Sequence, residues 1–198
     1  MSNCDKDDLR EKFRNNVRRI TKDYLRDNPD EAGYLKFFQD FLSNDNQDIG
    51  DRKNIPAGHM CANLVIVDRD KKKILMIFHK ALNKWLTPGG HFDYEDGFLD
   101  TTAYREACEE TGVSIPRFLT LGQLPVYIDY HDIPESMAKK EPTHMHFVFY
   151  YMALASSDSI NINLELSEVS EARWFSYEEI EDPDTKKLFN KVFEMLGL

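Results

Sequence analysis

The chain has 198 residues, 41% of them hydrophobic and 12% aromatic, which is enough to bury one sizeable core and too little for two full domains. Acidic residues outnumber basic ones 35 to 25, and the net charge of −10 repels phosphate backbones, so nucleic acid is an unlikely partner. Cys4, Cys61 and Cys108 are odd in number and lack C-x-x-C spacing, suggesting neither a disulfide framework nor a zinc motif, and no apolar run approaches a signal or membrane segment; a soluble, cytoplasmic protein is expected.

From Lys6 to Arg26, the apolar residues Leu9, Phe13, Val17, Ile20 and Leu25 recur at helical spacing, and Asn28-Pro29 should end that helix. A second helical pattern carries Tyr34, Leu35, Phe37, Phe38, Phe41 and Leu42 and stops near Ser43, giving a helical hairpin. Asp45 to Ala57 is polar and punctuated by Gly and Pro, and reads as a linker that stays out of the core. Residues 1–55 thus form a helical extension and 56–198 the main domain. Met60–Val67 and Lys73–His79 are β-branched, apolar runs that predict a strand hairpin. Trp85 and Leu86 end a strand, Pro88-Gly89-Gly90 makes a tight turn, and a helix runs from about Phe98 to Thr111 before a stop at Gly112. Further strands are expected at Phe118–Leu124, Val126–Tyr130, His144–Leu154 and Ala172–Phe175, and a closing helix at Asp184–Leu196. Trp85 and Trp174, both at strand-like positions, read as core residues.

Glu106, Glu109 and Glu110 stand at i, i+3 and i+4, so a helix confines their carboxylates to an arc of roughly 100°. Thr101, Tyr104 and Cys108 then form an opposite, mostly apolar back suited to packing on a sheet. Like charges at that spacing destabilise a bare helix by a few tenths of a kcal/mol per pair, roughly, and call for solvent or a counter-ion. Mg²⁺ suits the role, because it prefers carboxylate oxygen and completes its shell with water and substrate phosphate. A solvated acidic face is the plain alternative for such a cluster.

The residues around it decide between the two. Arg105-Glu106-Ala107-Cys108-Glu109-Glu110-Thr111-Gly112-Val113 resembles the R-E-U-x-E-E-x-G-U half of the Nudix hydrolase signature, in which U is aliphatic. The first half, G-x5-E-x7, fits less well: Gly90 and Arg105 are fifteen positions apart where the signature has fourteen. Its glutamate falls to Asp96 or Glu95 or is absent, and an enlarged turn before the helix is expected. The resemblance implies an α/β/α sandwich with a mixed sheet, preceded here by the helical hairpin. It also implies hydrolysis of a nucleoside diphosphate linked to another moiety by a Mg²⁺-activated water, with Mn²⁺ as a substitute. By the same resemblance Glu106 is metal ligand or general base, Arg105 orients it, Glu109 and Glu110 bind metal, and the Gly89 carbonyl completes the shell.

A bacterial subset of the family is similar in three further places: Gly89-Gly90-His91-Phe92-Asp93, Ile128-Asp129-Tyr130-His131, and Glu141-Pro142-Thr143-His144-Met145-His146. His144 and His146 alternate onto one strand face beside a loop with Lys139-Lys140, and His91, His144 and His146 are candidates to touch a substrate phosphate or a metal. His79 is a weaker candidate. Glu168 and Glu171, ahead of Arg173-Trp174-Phe175, are candidates for a further ligand, with a cap or surface role equally open. Two other functions compete: a nucleotide-sensing module of weak catalysis, motivated by the extra turn residue, and an isopentenyl diphosphate isomerase using Cys61 as acid. The second is disfavoured because Cys61 lies in an apolar run. The hairpin leaves a homodimer open.

Overall fold

A computed structural model describes residues 3–53, 57–113, 124–135, 141–158, 164 and 168–198. In chain order the elements are α1 (Asn3–Asp27), α2 (Lys36–Leu42), β1 (His59–Asp68), β2 (Lys73–His79), β3 (Lys84–Leu86), β4 (Gly89–His91), α3 (Leu99–Thr111), β5 (Tyr127–Ile133), β6 (His144–Leu154), β7 (Val169–Phe175) and α4 (Pro183–Met195), with short 3-10 turns at Pro29–Glu31 and Tyr177–Glu179. The strands form one sheet in the order β3-β2-β1-β6-β5, with β4 also on β1 and β7 also on β2. The strand expected at Phe118–Leu124 falls at residues 118–123 outside the described residues, as does Lys139-Lys140. Among the described residues no helix is long and apolar enough to cross a membrane.

The chain packs as two compact units: Met1–Ala62, His91–Thr102 and Ile128–Phe149 make one, and Asn63–Gly90, Ala103–Tyr127 and Tyr150–Leu198 the other. In the first, α1 buries Phe13, Val17, Ile20 and Tyr24, a stripe at helical spacing in which Tyr24, not Leu25, takes the last place. Phe13 stacks on Phe92 with ring centroids 3.7 Å apart. From α2, Phe38 meets Phe147 at 4.9 Å and Phe149 at 5.7 Å, and Phe41 meets Phe147 at 4.3 Å. Helix α2 ends in carbonyls that need donors. Arg18 Nε of α1 supplies one to the Leu42 carbonyl at 3.0 Å, and Arg14 reaches the carbonyls of Asn44, at 2.7 Å, and Gln47 in the segment that follows.

The segment read as a linker is part of this core. Ile49 is 1% exposed and its carbonyl accepts from Met60 N at 3.0 Å, while Asp48 pairs with Arg10 at 2.6 Å and accepts from the Tyr94 hydroxyl. Its polar composition hid one apolar anchor among residues that satisfy their neighbours' hydrogen bonds.

The second unit centres on Val65, Val67, Ile74, Met76, Met152 and Phe175, over which α4 lays Leu188, Phe189, Val192 and Phe193. Helix α4 starts where Asp182 accepts from Thr185 N at 2.8 Å and Pro183 opens the first turn. Strand β2 pairs antiparallel with β1, β3 and β7, with a register shift against β7 between Phe78 and His79. Trp85 packs on this core against Phe175 at 4.8 Å, and Trp174 is half-buried. Gly89–His91, expected as a tight turn, is strand β4. Glycine's weak strand preference concealed it; backbone bonds from Leu64 N to Pro88 O (2.8 Å) and from Phe92 N to Met60 O (3.2 Å) fix it in place.

Candidate functional site

Helix α3 places its acids differently from the sequence expectation. Leu99, Thr102, Ala103, Ala107, Glu110 and Thr111 are its buried residues, whereas Thr101, Tyr104 and Cys108 are only half-buried. Ala103, Glu106, Ala107 and Glu110 follow i, i+3, i+4, i+7, which is one stripe of a 3.6-residue helix. The acidic and packing faces are therefore not opposite one another but overlap. The Glu106 side chain is 19% exposed and that of Glu109 58%, so the three carboxylates are graded from buried Glu110 to solvent-facing Glu109.

Each carboxylate has a partner. Gly89 N donates to Glu110 Oε2 at 2.9 Å, and Arg105 Nη1 donates to Glu106 Oε1 at 2.9 Å and to Glu109 Oε2 at 3.1 Å. Gly90 lies so close to Glu106 that a Cβ there would fall 2.5 Å from the carboxyl carbon. Only glycine permits that approach. Burial, assisted by the charges of Glu106, Glu168 and Glu109 and opposed by the Gly89 N–H, pushes the Glu110 carboxyl up to about 8. Glu168 thus joins the acidic group through its field, while Glu171 is simply exposed.

An all-oxygen donor set around an acid that resists ionising fits a hard divalent cation, whose charge would let Glu110 ionise. Glu106, Glu109 and Glu110 are the residues able to hold it. Gly89 contributes its N–H to Glu110; this contact binds the glycine to the acid directly.

The loop ahead of α3 accommodates the extra residue. Gly97, the position that counting back from Arg105 assigns to the signature glutamate, has φ +74 and no carboxylate. Asp96, one position earlier, accepts from Thr102 Oγ1 at 2.8 Å and from Asp93 N at 3.3 Å, tying the loop to the first turn of the helix. Glu95 is exposed. At the far end Gly112, φ +65, donates to Cys108 O at 2.8 Å and stops the helix as expected.

The histidines gather in the first compact unit. His91 and His146 rings lie 5.0 Å apart, His144 and His146 rings 5.1 Å, and His144 Nε2 is 3.2 Å from His146 Nε2. His59, which the sequence reading missed, is at their centre: 5.0 Å from His91, 5.0 Å from His144 and 4.8 Å from His146. The available signal was the alternation His59-x-Cys61 opening a strand, beside the H-x-H of β6. Burial, then the nearby charges of His144 and Arg52, takes His59 down to about 4; burial and the facing His91, His59, His144 and His131 take His146 to about 2. These are neutral imidazoles. His79 stands apart, its Nδ1 accepting from Leu82 N at 3.3 Å in a turn.

A carboxylate helix entered from a glycine-glycine strand, on a mixed sheet with flanking helices, defines an α/β fold with an acidic site at the start of one helix's partner strand. The NUDIX domain model matches residues 58–195, and the chain belongs to this family. It is 30% identical over 127 residues to an RNA pyrophosphohydrolase of Dinoroseobacter shibae, covering 59% of this chain and 77% of that protein. Among solved structures it resembles an Ap4A hydrolase of C. elegans (TM-score 0.50, 19% identity, 70% of this chain and 97% of that chain) and a MutT protein of Methanosarcina mazei Go1 (TM-score 0.50, 18% identity, 72% and 97%). These two share its fold. The chain is accordingly a Nudix hydrolase, an enzyme of the pyrophosphatase class with the α/β/α fold.

Proposed function

We propose that the chain is a divalent-metal-dependent diphosphatase that cleaves a nucleoside diphosphate joined to another moiety, using Mg²⁺, with Mn²⁺ able to replace it. The observation that carries this reading is the carboxylate group of α3, in which buried Glu110 accepts from the Gly89 N–H and stands beside Glu106 and Glu109, both of which accept from Arg105. Glu106, Glu109 and Glu110 hold the cation, with the Gly89 carbonyl as a further donor. When bound, the cation neutralises the diphosphate and acidifies the attacking water.

Glu106 receives the water proton on its carboxylate as the new P–O bond forms and the bond to the bridging oxygen breaks, the electron pair leaving with that oxygen. Arg105 keeps the Glu106 and Glu109 carboxylates aligned through the two bonds it already makes. Asp96 takes the structural part of the signature glutamate by holding the entry loop to Thr102. The relative's action on RNA and the structural neighbour's on Ap4A favour a nucleotide as the leaving portion, and the net charge of −10 favours a small one.

Release of phosphate or nucleoside monophosphate from ADP-ribose, dinucleotides, nucleotide sugars and nucleoside triphosphates, with Mg²⁺ and with Mn²⁺, tests the proposal. Glu109→Gln and Glu110→Gln should each lower turnover by orders of magnitude while the fold survives. Near-normal rates in either purified variant would remove the metal role from α3.

A further inference from the structure

We propose that His59, Cys61, His91 and His146 bind a borderline transition-metal ion, Zn²⁺ by the chemistry of the donors, at a structural site distinct in residues and in chemistry from the carboxylates of α3. One ligand atom from each of the four lies within 4.8 Å of the others. A tetrahedral Zn²⁺ with bonds of about 2.1 Å to nitrogen and about 2.3 Å to sulfur needs its donors separated by roughly 3.4–3.7 Å, so side-chain rotations that draw them in by about 1 Å complete the shell.

The backbone delivers these donors together. His59 and Cys61 are two apart on β1 and so share a face; His91 ends β4, which pairs with β1, and His146 lies on β6, the neighbour of β1 in the sheet. His59 is 2% exposed and Cys61 4%. Both ring nitrogens of His59 are buried and, among the described residues, have no hydrogen-bond partner. A buried imidazole left in that condition is costly, and a bound ion would give one of those nitrogens its partner.

His144 is built as the supporting residue. Its Nδ1 is 2.8 Å from the Pro142 carbonyl, to which it donates, leaving the Nε2 lone pair to accept from His146 Nε2 at 3.2 Å. With those tautomers, assigned from the hydrogen-bond pattern, His146 Nδ1 carries the lone pair for the ion. A carbonyl–histidine–histidine relay of this type fixes ring orientation in metal sites. Three imidazoles and a thiolate suit Zn²⁺ or Co²⁺ and not Mg²⁺, which demands oxygen. Binding releases the Cys61 thiol proton, and four protein donors leave no open position for a substrate. The ion therefore ties β1, β4 and β6 together within the first unit.

The test is elemental analysis of the full-length protein, purified from zinc-supplemented cells and dialysed against metal-free buffer, followed by Co²⁺ titration of chelator-stripped protein. About one zinc per chain is expected in the wild type and in the Glu106→Gln/Glu110→Gln variant, and under about a tenth in His59→Asn and His146→Asn. Co²⁺ should give intense tetrahedral d–d bands together with a thiolate charge-transfer band that Cys61→Ser removes. Stripping should lower the melting temperature, with recovery on adding Zn²⁺ but not Mg²⁺. Less than about a tenth of an equivalent of zinc in wild type together with no saturable Co²⁺ spectrum overturns the proposal, whether or not the variants fold. So does zinc that leaves with the glutamate substitutions and persists in His59→Asn. Activity enters none of these readouts, so failure of the diphosphatase reading leaves them intact.

Discussion

Gly90 separates catalytic geometry from stability at a single residue. A Cβ there meets the end of the flexible Glu106 side chain, which can swing aside at little cost to the fold. Gly90→Ala should therefore move the denaturation midpoint by about 1 kcal/mol or less, within the usual range for a substitution that the structure relaxes around, and cut turnover at least tenfold by displacing Glu106. Unchanged turnover in a folded Gly90→Ala protein would mean that Glu106 does not need its place against the strand. At this scale the sequence was informative where residue types repeat a pattern. Arg105 to Val113 identified the acidic helix because its spacing is dictated by helix geometry. The same spacing did not disclose that Glu110 is buried, since burial depends on what α3 packs against. His59 stayed hidden for a related reason: a lone histidine opening an apolar strand is ordinary until other strands bring His91, His144 and His146 beside it.

The elements followed from periodicity more faithfully than the segments joining them. β6 matches the expected His144–Leu154, and α1, β1, β2 and α4 lie close to their expected bounds, since each is a sustained run of one periodicity, whereas β7 begins at Val169, three residues before the expected Ala172. β4 and the Asp45–Ala57 segment were misread because glycine and polar residues carry no periodicity, although Gly89 and Ile49 are fixed by long-range hydrogen bonds. Helix α2 is only seven residues long and owes its stability to packing, not to its own hydrogen bonds. Phe38, fully buried against Phe147 and Phe149, is its main anchor. Phe38→Ala should cost about 3–5 kcal/mol, the usual range for truncating a buried phenylalanine, while Phe37→Ala, at a half-exposed position, should cost far less. Urea denaturation of both variants checks this; equal losses would show that α2 is not seated through Phe38.

For the whole molecule, buried Glu110 on one side, and buried His59 together with His146 on the other, give the metal-stripped protein a stability maximum bounded on both sides. Folded Glu110 keeps a proton up to about 8, whereas its unfolded counterpart releases it near 4.5, so that contribution is full below 4.5 and lost as pH rises through about 8. His59 works in the other direction: unfolded, it takes a proton near 6.5, but folded only near 4, so its contribution is present above 6.5 and lost as pH falls through about 4. Denaturation midpoints measured in chelator across this range should fall less steeply on the alkaline side in Glu110→Gln and on the acid side in His59→Asn. Slopes identical to wild type in both variants would contradict the assigned burial.

Five crossings of the chain between its two compact units, at 62/63, 90/91, 102/103, 127/128 and 149/150, bear on how the protein is made. A nascent chain leaves the ribosome at about 5–20 residues per second, and domains ordinarily fold as they emerge. Here the N-terminal helices present Phe13 and Phe38 long before Phe92, Phe147 and Phe149, the rings that cover them, have been synthesised. The growing polypeptide therefore presents Phe13 without its native cover until residue 92 has emerged, and Phe38 until residues 147 and 149 have, so that a pause in synthesis between those points leaves apolar rings of α1 and α2 facing water.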